Sequence, residues 1–140
     1  MTHNQVLQQL KSKDELVAAY PLLEAGIAAV NDVIHGESFA PTVFAMALNG
    51  QCSVFMVGQG HGICVCVVER GIMYVDSLFI HAGAGAGLMR QVGLELQELA
   101  KANGLLEVRF KTTRAAAMKR VLEGIGFTPR CVEFAVNLED

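Results

Sequence analysis

The sequence contains no tryptophan, two tyrosines and three prolines in 140 residues. It has no apolar run of the about 18 residues that a membrane-spanning helix requires. Its first residues, Met1-Thr2-His3-Asn4-Gln5, show no basic region followed by an apolar one, so no secretory signal is expected. These absences together predict a cytoplasmic protein with no membrane partner. Few aromatic residues and a net charge of -3 argue against nucleic acid as a partner. The four cysteines, Cys52, Cys64, Cys66 and Cys131, form no paired C-x-x-C pattern of the zinc-finger kind. No internal repeat or linker divides the chain, so residues 1–140 are expected to form one domain.

Core material is abundant: 52% of the residues are apolar. Cys64 and Cys66 alternate within an apolar run, which directs both to one face of a strand. They read as buried reduced thiols, or as two ligands of a metal site completed by a nearby histidine. Charge is unevenly spread. Residues 1–89 carry three Lys/Arg and seven Asp/Glu, whereas residues 90–130 carry eight Lys/Arg and four acids. The segment Lys111 to Arg120 has four positive charges and no acid. It suits an anionic ligand or a solvated helix face.

Periodicity orders the elements. Ser12-Lys13-Asp14-Glu15 is a capping box. It opens a helical region to about Val33, with a break expected at Pro21. Pro41 begins a short helix that ends at Leu48 before Asn49-Gly50. From there the period shortens. Cys52–Val57, Ile63–Val68 and Ile72–Ile80 read as three strands joined by short turns, an antiparallel meander. The last is interrupted by Asp76 and Ser77. A helix from Leu88 to Asn103 follows, stopped by Gly104. Leu105–Phe110 is a strand able to lie parallel to its predecessor. Thr113 caps a helix to about Glu123, and Arg130–Leu138 is a last, strongly apolar strand. The expected class is α/β (α+β): helices, then a meander followed by β-α-β-α-β, with helices on both faces of a mixed sheet. Residues 1–50 form the helical part and residues 52–138 the core.

The run Gly83-Ala84-Gly85-Ala86-Gly87 lies between a strand and a helix. Glycines let backbone approach a ligand closely, and a helix N-terminus offers unpaired N–H groups and partial positive charge. Together they suit a phosphate or pyrophosphate. A P-loop is excluded, because no Gly-Lys-Ser/Thr follows. A dinucleotide loop fits poorly, because Leu88 stands where its third glycine belongs. A purely structural turn is the remaining alternative.

On these residues the chain resembles the GNAT superfamily of coenzyme A-dependent N-acyltransferases. Tyr74-Val75-Asp76-Ser77-Leu78-Phe79-Ile80-His81 is similar to the family's fourth strand. Gly83 to Leu88-Met89 resembles its pyrophosphate loop and third helix. Met118 to Phe127 resembles the helix that ends in Gly-Phe. A looser likeness is to small, bacteriophage-borne acetyltransferase-like proteins. The resemblance implies acetyl-coenzyme A as co-substrate. Backbone groups of Leu78, Phe79 and Ile80 would lie along the pantetheine arm. Gly83, Gly85, Ala86, Gly87 and Leu88 would lie around the pyrophosphate, and Arg90, Arg114, Lys119 and Arg120 near the phosphates. The sequence departs from the family at the Gln or Arg that opens the loop, where Ala82 or Ile80 stands. It departs also at the tyrosine acid, where Leu122 stands, and at a helix asparagine, where Ala115 stands.

Amine acylation needs a stabilised oxyanion, which a strand N–H can serve, and a group to take the proton. Asp76 is the first candidate, a charge within an apolar strand. A solvated or arginine-paired aspartate is the bland reading of it. His81 at the strand end is second, and Glu69 third; Tyr74 could line the acceptor site. The function read from this is acetyl transfer to an amine of a small molecule or protein. The alternative is a catalytically inactive GNAT-like protein that binds a protein partner. The apolar last strand suggests pairing across a homodimer.

Overall fold

The computed structural model describes residues 5–34, 40–81, 83, 86–110, 115–130, 134, 136 and 138. Its order is β1 (Leu7–Gln9), α1 (Lys13–Ile34), α2 (Ala40–Leu48), β2 (Ser53–Val57), β3 (Gly62–Glu69), β4 (Ile72–Ile80), α3 (Ala86–Ala102), β5 (Glu107–Phe110) and α4 (Ala115–Gly124). The five strands form one sheet in the order β1-β2-β3-β4-β5. The first three pairings are antiparallel and β4 runs parallel to β5.

Local chemistry explains the helix ends. The capping box at Ser12 is formed in both directions. The Glu15 N–H donates to Ser12 Oγ, and the Ser12 N–H donates to Glu15 Oε1, each at 3.1 Å. The break expected at Pro21 does not occur, for α1 is one helix with Pro21 inside it. Pro21 lies on the exposed side, where the carbonyl left without a donor can turn to water. At the far end of α3 the Leu105 N–H donates to the Ala100 carbonyl at 2.9 Å, around Gly104 at φ 71°.

β1 was not expected from the sequence. Its three residues pair with Phe55 to Val57 at the sheet edge. The Glu95 carboxylate on α3 holds its start, accepting the N–H groups of Val6 and Leu7.

Two cores follow from the two faces of the sheet. Leu16, Leu23 and Ile27 of α1 and Val43 of α2 pack with Val54, Ile63 and Val65. On the other face Val92, Leu96 and Ala100 of α3 pack with Phe55, Cys64, Cys66, Met73 and Val75. β3 is buried over its first five residues, as its unbroken apolar run implies for a central strand. The expected mixed sheet with helices on both faces is therefore present. The expected last strand falls largely on residues 131–133, 135 and 137, and the cap at Thr113 on 111–114, both outside the described residues.

Candidate active site

The interruption at Asp76 and Ser77 is a β-bulge. Val65 pairs with Ser77, but its neighbour Cys66 pairs with Val75, so Asp76 is an extra residue on β4. The bulge reverses the alternation of the strand. Before it, Met73 and Val75 face α3. After it, Leu78 and Ile80 face α3, while Phe79 packs against the α1 side. Without the extra residue Phe79 would point to α3 and the strand end would present the wrong face to each helix layer.

The bulge also marks where the described pairing of β4 with β5 stops. Their parallel pairing runs from Ile72–Glu107 to Val75–Phe110. Beyond it, residues 76–80 continue β4 with no β5 partner among the described residues. Backbone groups of an unpaired strand edge can hydrogen-bond an extended ligand.

The strand end leads directly to the glycine run. His81 directly follows β4, its N–H donating to the His61 carbonyl at 2.8 Å, and its ring meets Phe79 edge to face at 4.9 Å. Gly83 has φ 90°, a conformation open to glycine and costly for other residues. α3 begins at Ala86, and a Cβ on Gly87 would meet nothing within 4 Å. The helix start is thus open on the side of Gly87, which fits close approach of a phosphate. Leu88 is half-buried and Arg90 exposed on the first turns of α3. Ala82, Ala84, Gly85 and Arg114 lie outside the described residues.

On the α1–α2 side of the sheet, Cys52 packs against the core. The Cys52 thiol lies 3.7 Å from the Val43 carbonyl of α2. Burial chiefly, and then the Asp76 carboxylate and Cys66, push its pKa up to about 11. Cys52 is therefore a protonated thiol at neutral pH and no nucleophile. Asp76 itself is exposed. Ser77, next in the chain, is buried, and its hydroxyl has no hydrogen-bond partner among the described residues.

The structure thus brings together Asp76, Leu78, Phe79, Ile80, His81 and the start of α3. Glu69 is not among them, because it pairs with Ile72 at the opposite end of β4. Tyr74 lies two residues before the bulge, with the Arg109 guanidinium 5.8 Å from its ring centre. Arg109 is also ion-paired to Glu107, which in turn meets Arg130. Lys119 on α4 is exposed and 4.0 Å from Glu123. Leu122 is half-buried on the same helix. Cys64 and Cys66 are buried on the α3 face, their sulfurs 3.7 Å apart. No group of three or more His, Cys, Asp or Glu able to hold a metal occurs among the described residues.

Sequence reasoning missed His61 and Cys52 as neighbours of the site. The turn Gly58-Gln59-Gly60-His61-Gly62 marked a hairpin. That it lies against the end of β4 follows only from the Gly62–Ile80 pairing.

No family model and no curated protein matches this sequence. Solved structures do match over nearly the whole chain. A probable acetyltransferase superposes with a TM-score of 0.71 at 12% identity, covering 96% of this chain and 99% of that one. The aminoglycoside acetyltransferase meta-AAC0020 from an uncultured soil metagenomic sample, in complex with sisomicin, gives 0.64 at 11% identity, with 95% of each chain covered. AAC(6')-Iy in complex with the bisubstrate analogue CoA-S-monomethyl-acetylneamine gives 0.66 at 14% identity, covering 96% and 99%. At these identities the likeness is one of fold.

Proposed function

We propose that this chain, which has the GNAT fold, is an N-acetyltransferase that moves an acetyl group from acetyl-coenzyme A to an amine of a small molecule or protein. The observation that carries the reading is the bulge at Asp76. One extra residue stands where the described pairing with β5 stops, and it turns Phe79 toward α1. A bulge of this kind re-aims side chains and ends pairing next to a site.

The residues present fit the co-substrate. Backbone groups of Leu78, Phe79 and Ile80 would hydrogen-bond its pantetheine amides. The N–H groups at the start of α3, with Gly83, Gly85, Ala86, Gly87 and Leu88 around them, would hold the pyrophosphate. Arg90, Arg114 and Lys119 would supply positive charge to the remaining phosphate. Acetyl-coenzyme A, when bound, supplies a thioester whose carbonyl carbon bonds to the amine nitrogen as the carbon–sulfur bond breaks.

The chain's own residues do the rest. A β4 N–H beyond the bulge donates to the oxygen on which negative charge develops. Asp76 accepts the amine proton, directly or through water, and His81 is the second group placed to do so. Leu122 donates no proton, so the leaving thiolate takes its proton from water. A thiolate needs this less than an alkoxide would, because thiol pKa values are far lower than those of alcohols.

The test is coenzyme A release in the presence of a panel of amines, aminoglycosides and basic peptides included. Amine-dependent release supports the reading. Acetyl-coenzyme A that binds but is never turned over, together with a stable protein complex recovered regardless of cofactor, would favour the partner-binding alternative.

A further inference from the structure

Ser77 breaks the apolar filling beneath α1 and α2. The bulge sets it opposite Val65, and directly opposed residues of an antiparallel pair share a face. Val65 packs into the α1–α2 core, as does Phe79 two residues beyond Ser77. The neighbouring buried strand residues of that core, Val54, Ile63 and Val65, are apolar. Ser77 is 4% exposed, yet its hydroxyl has no hydrogen-bond partner among the described residues. Glu95, the other buried polar side chain described, is satisfied by the N–H groups of Val6 and Leu7.

A buried hydroxyl without a partner costs free energy that an alanine in its place would not. A residue that departs from its surroundings at a cost to the fold points to a task other than folding.

Its place on β4 narrows that task. Leu78 and Ile80 face α3, the helix that the glycine run opens. Ser77 points to the opposite side, away from the phosphate cradle. A group that meets Ser77 therefore belongs to the second substrate. Solvent is near: Asp76, one residue before, is exposed, and Phe79, the next residue on the same face, is half-buried.

Building on the acetyl-transfer reading, we propose that Ser77 binds the acceptor and selects primary amines. A neutral primary amine has two N–H groups and a lone pair. Ser77 Oγ accepts one N–H, which leaves the lone pair to attack the thioester carbonyl carbon. The carbon–nitrogen bond forms as the carbon–sulfur bond breaks. The proton of the second N–H passes to Asp76, and the thiolate takes a proton from water. A secondary amine has a single N–H, which the reaction consumes, so Ser77 cannot hold it throughout the step.

The test compares the panel amine that releases most coenzyme A with the same compound methylated on the acetylated nitrogen. Ser77→Ala should melt no lower than wild type, because it removes an unsatisfied hydroxyl. Its kcat/KM for the primary amine should fall about three- to ten-fold, with that for the methylated amine changing less than about two-fold. Acetyl-coenzyme A affinity should be unchanged by calorimetry. Ser77→Thr, which keeps the hydroxyl, should keep the preference for the primary amine. A lower melt with both amines slowed alike would make the hydroxyl structural and overturn the proposal. Unchanged rates in Ser77→Ala, with an active wild type, would overturn this proposal but leave acetyl transfer standing. A wild type that releases coenzyme A with no amine would overturn both.

Discussion

Glu95 accepts the backbone N–H of Val6 with both carboxylate oxygens, at 3.1 and 2.9 Å, across 89 residues of chain. Oε1 accepts the Leu7 N–H as well, at 3.0 Å. The carboxylate is the link between α3 and the edge strand β1. Hydrogen bonds to a charged group are the stronger ones, and losing the acceptor leaves part-buried donors unpaired. Glu95→Ala should therefore destabilise the protein by about 1–3 kcal/mol in urea unfolding. Acetyl-coenzyme A affinity should be retained, because the phosphate cradle is built without this residue.

β1 shows what the sequence could not reveal. Leu7-Gln8-Gln9 has too little alternation to read as a strand, and its partner for Val6 lies on a helix 89 residues away. The bulge was half legible. Asp76-Ser77 stood out in an apolar strand, but the reversal of faces after it depends on register with β3, which no local pattern encodes. By contrast the capping box, the α2 proline, the meander and the stop at Gly104 rest on local rules, and the structure has each of them. Pro21 misled because its effect depends on which side of the helix it faces.

Gly26 of α1 lies against the site strand. A Cβ there would come within 2.7 Å of Ile63 Cγ2 and 3.3 Å of Phe79 Cβ. Ile63 is fully buried and cannot yield. Gly26→Ala should cost about 1–3 kcal/mol through overpacking. It should also weaken acetyl-coenzyme A binding by displacing Phe79, and calorimetry beside a thermal melt separates the two effects.

Asp76→Asn keeps the size and polarity of the bulge residue but removes its basicity. Amine acetylation, followed as kcat/KM, should fall by about 10²–10⁴-fold, with acetyl-coenzyme A affinity little changed. An unchanged rate would remove Asp76 from proton transfer and leave His81→Asn as the next variant to assay.

The pH dependence of stability has an identifiable contributor in Glu15. Hydrogen bonds from the Ser12 backbone, then the Lys11 backbone and the Ser12 hydroxyl, hold its carboxyl below the ordinary 4.5. A depressed carboxyl stabilises the fold above its unfolded pKa, and that stabilisation is lost as pH falls through the folded value. Wild type should therefore exceed Glu15→Gln in stability at neutral pH, with the difference shrinking below about pH 4.5. A difference constant with pH would show that the cap does not depend on the charge.

The start of α3 can be blocked without disturbing the core. A side chain at Gly87 meets nothing within 4 Å at Cβ, and replacing glycine within a helix gains up to about 1 kcal/mol. Gly87→Phe should melt no lower than wild type while losing at least ten-fold in affinity for acetyl-coenzyme A. A loss of affinity accompanied by unfolding would instead make this glycine structural.

Titration calorimetry of the wild-type chain with acetyl-coenzyme A tests the central claim most directly: that β4 beyond Asp76 and the start of α3 form a coenzyme A site. The account predicts one site per chain with micromolar affinity or better, weakened in Gly87→Phe. Absence of binding at millimolar acetyl-coenzyme A would contradict it.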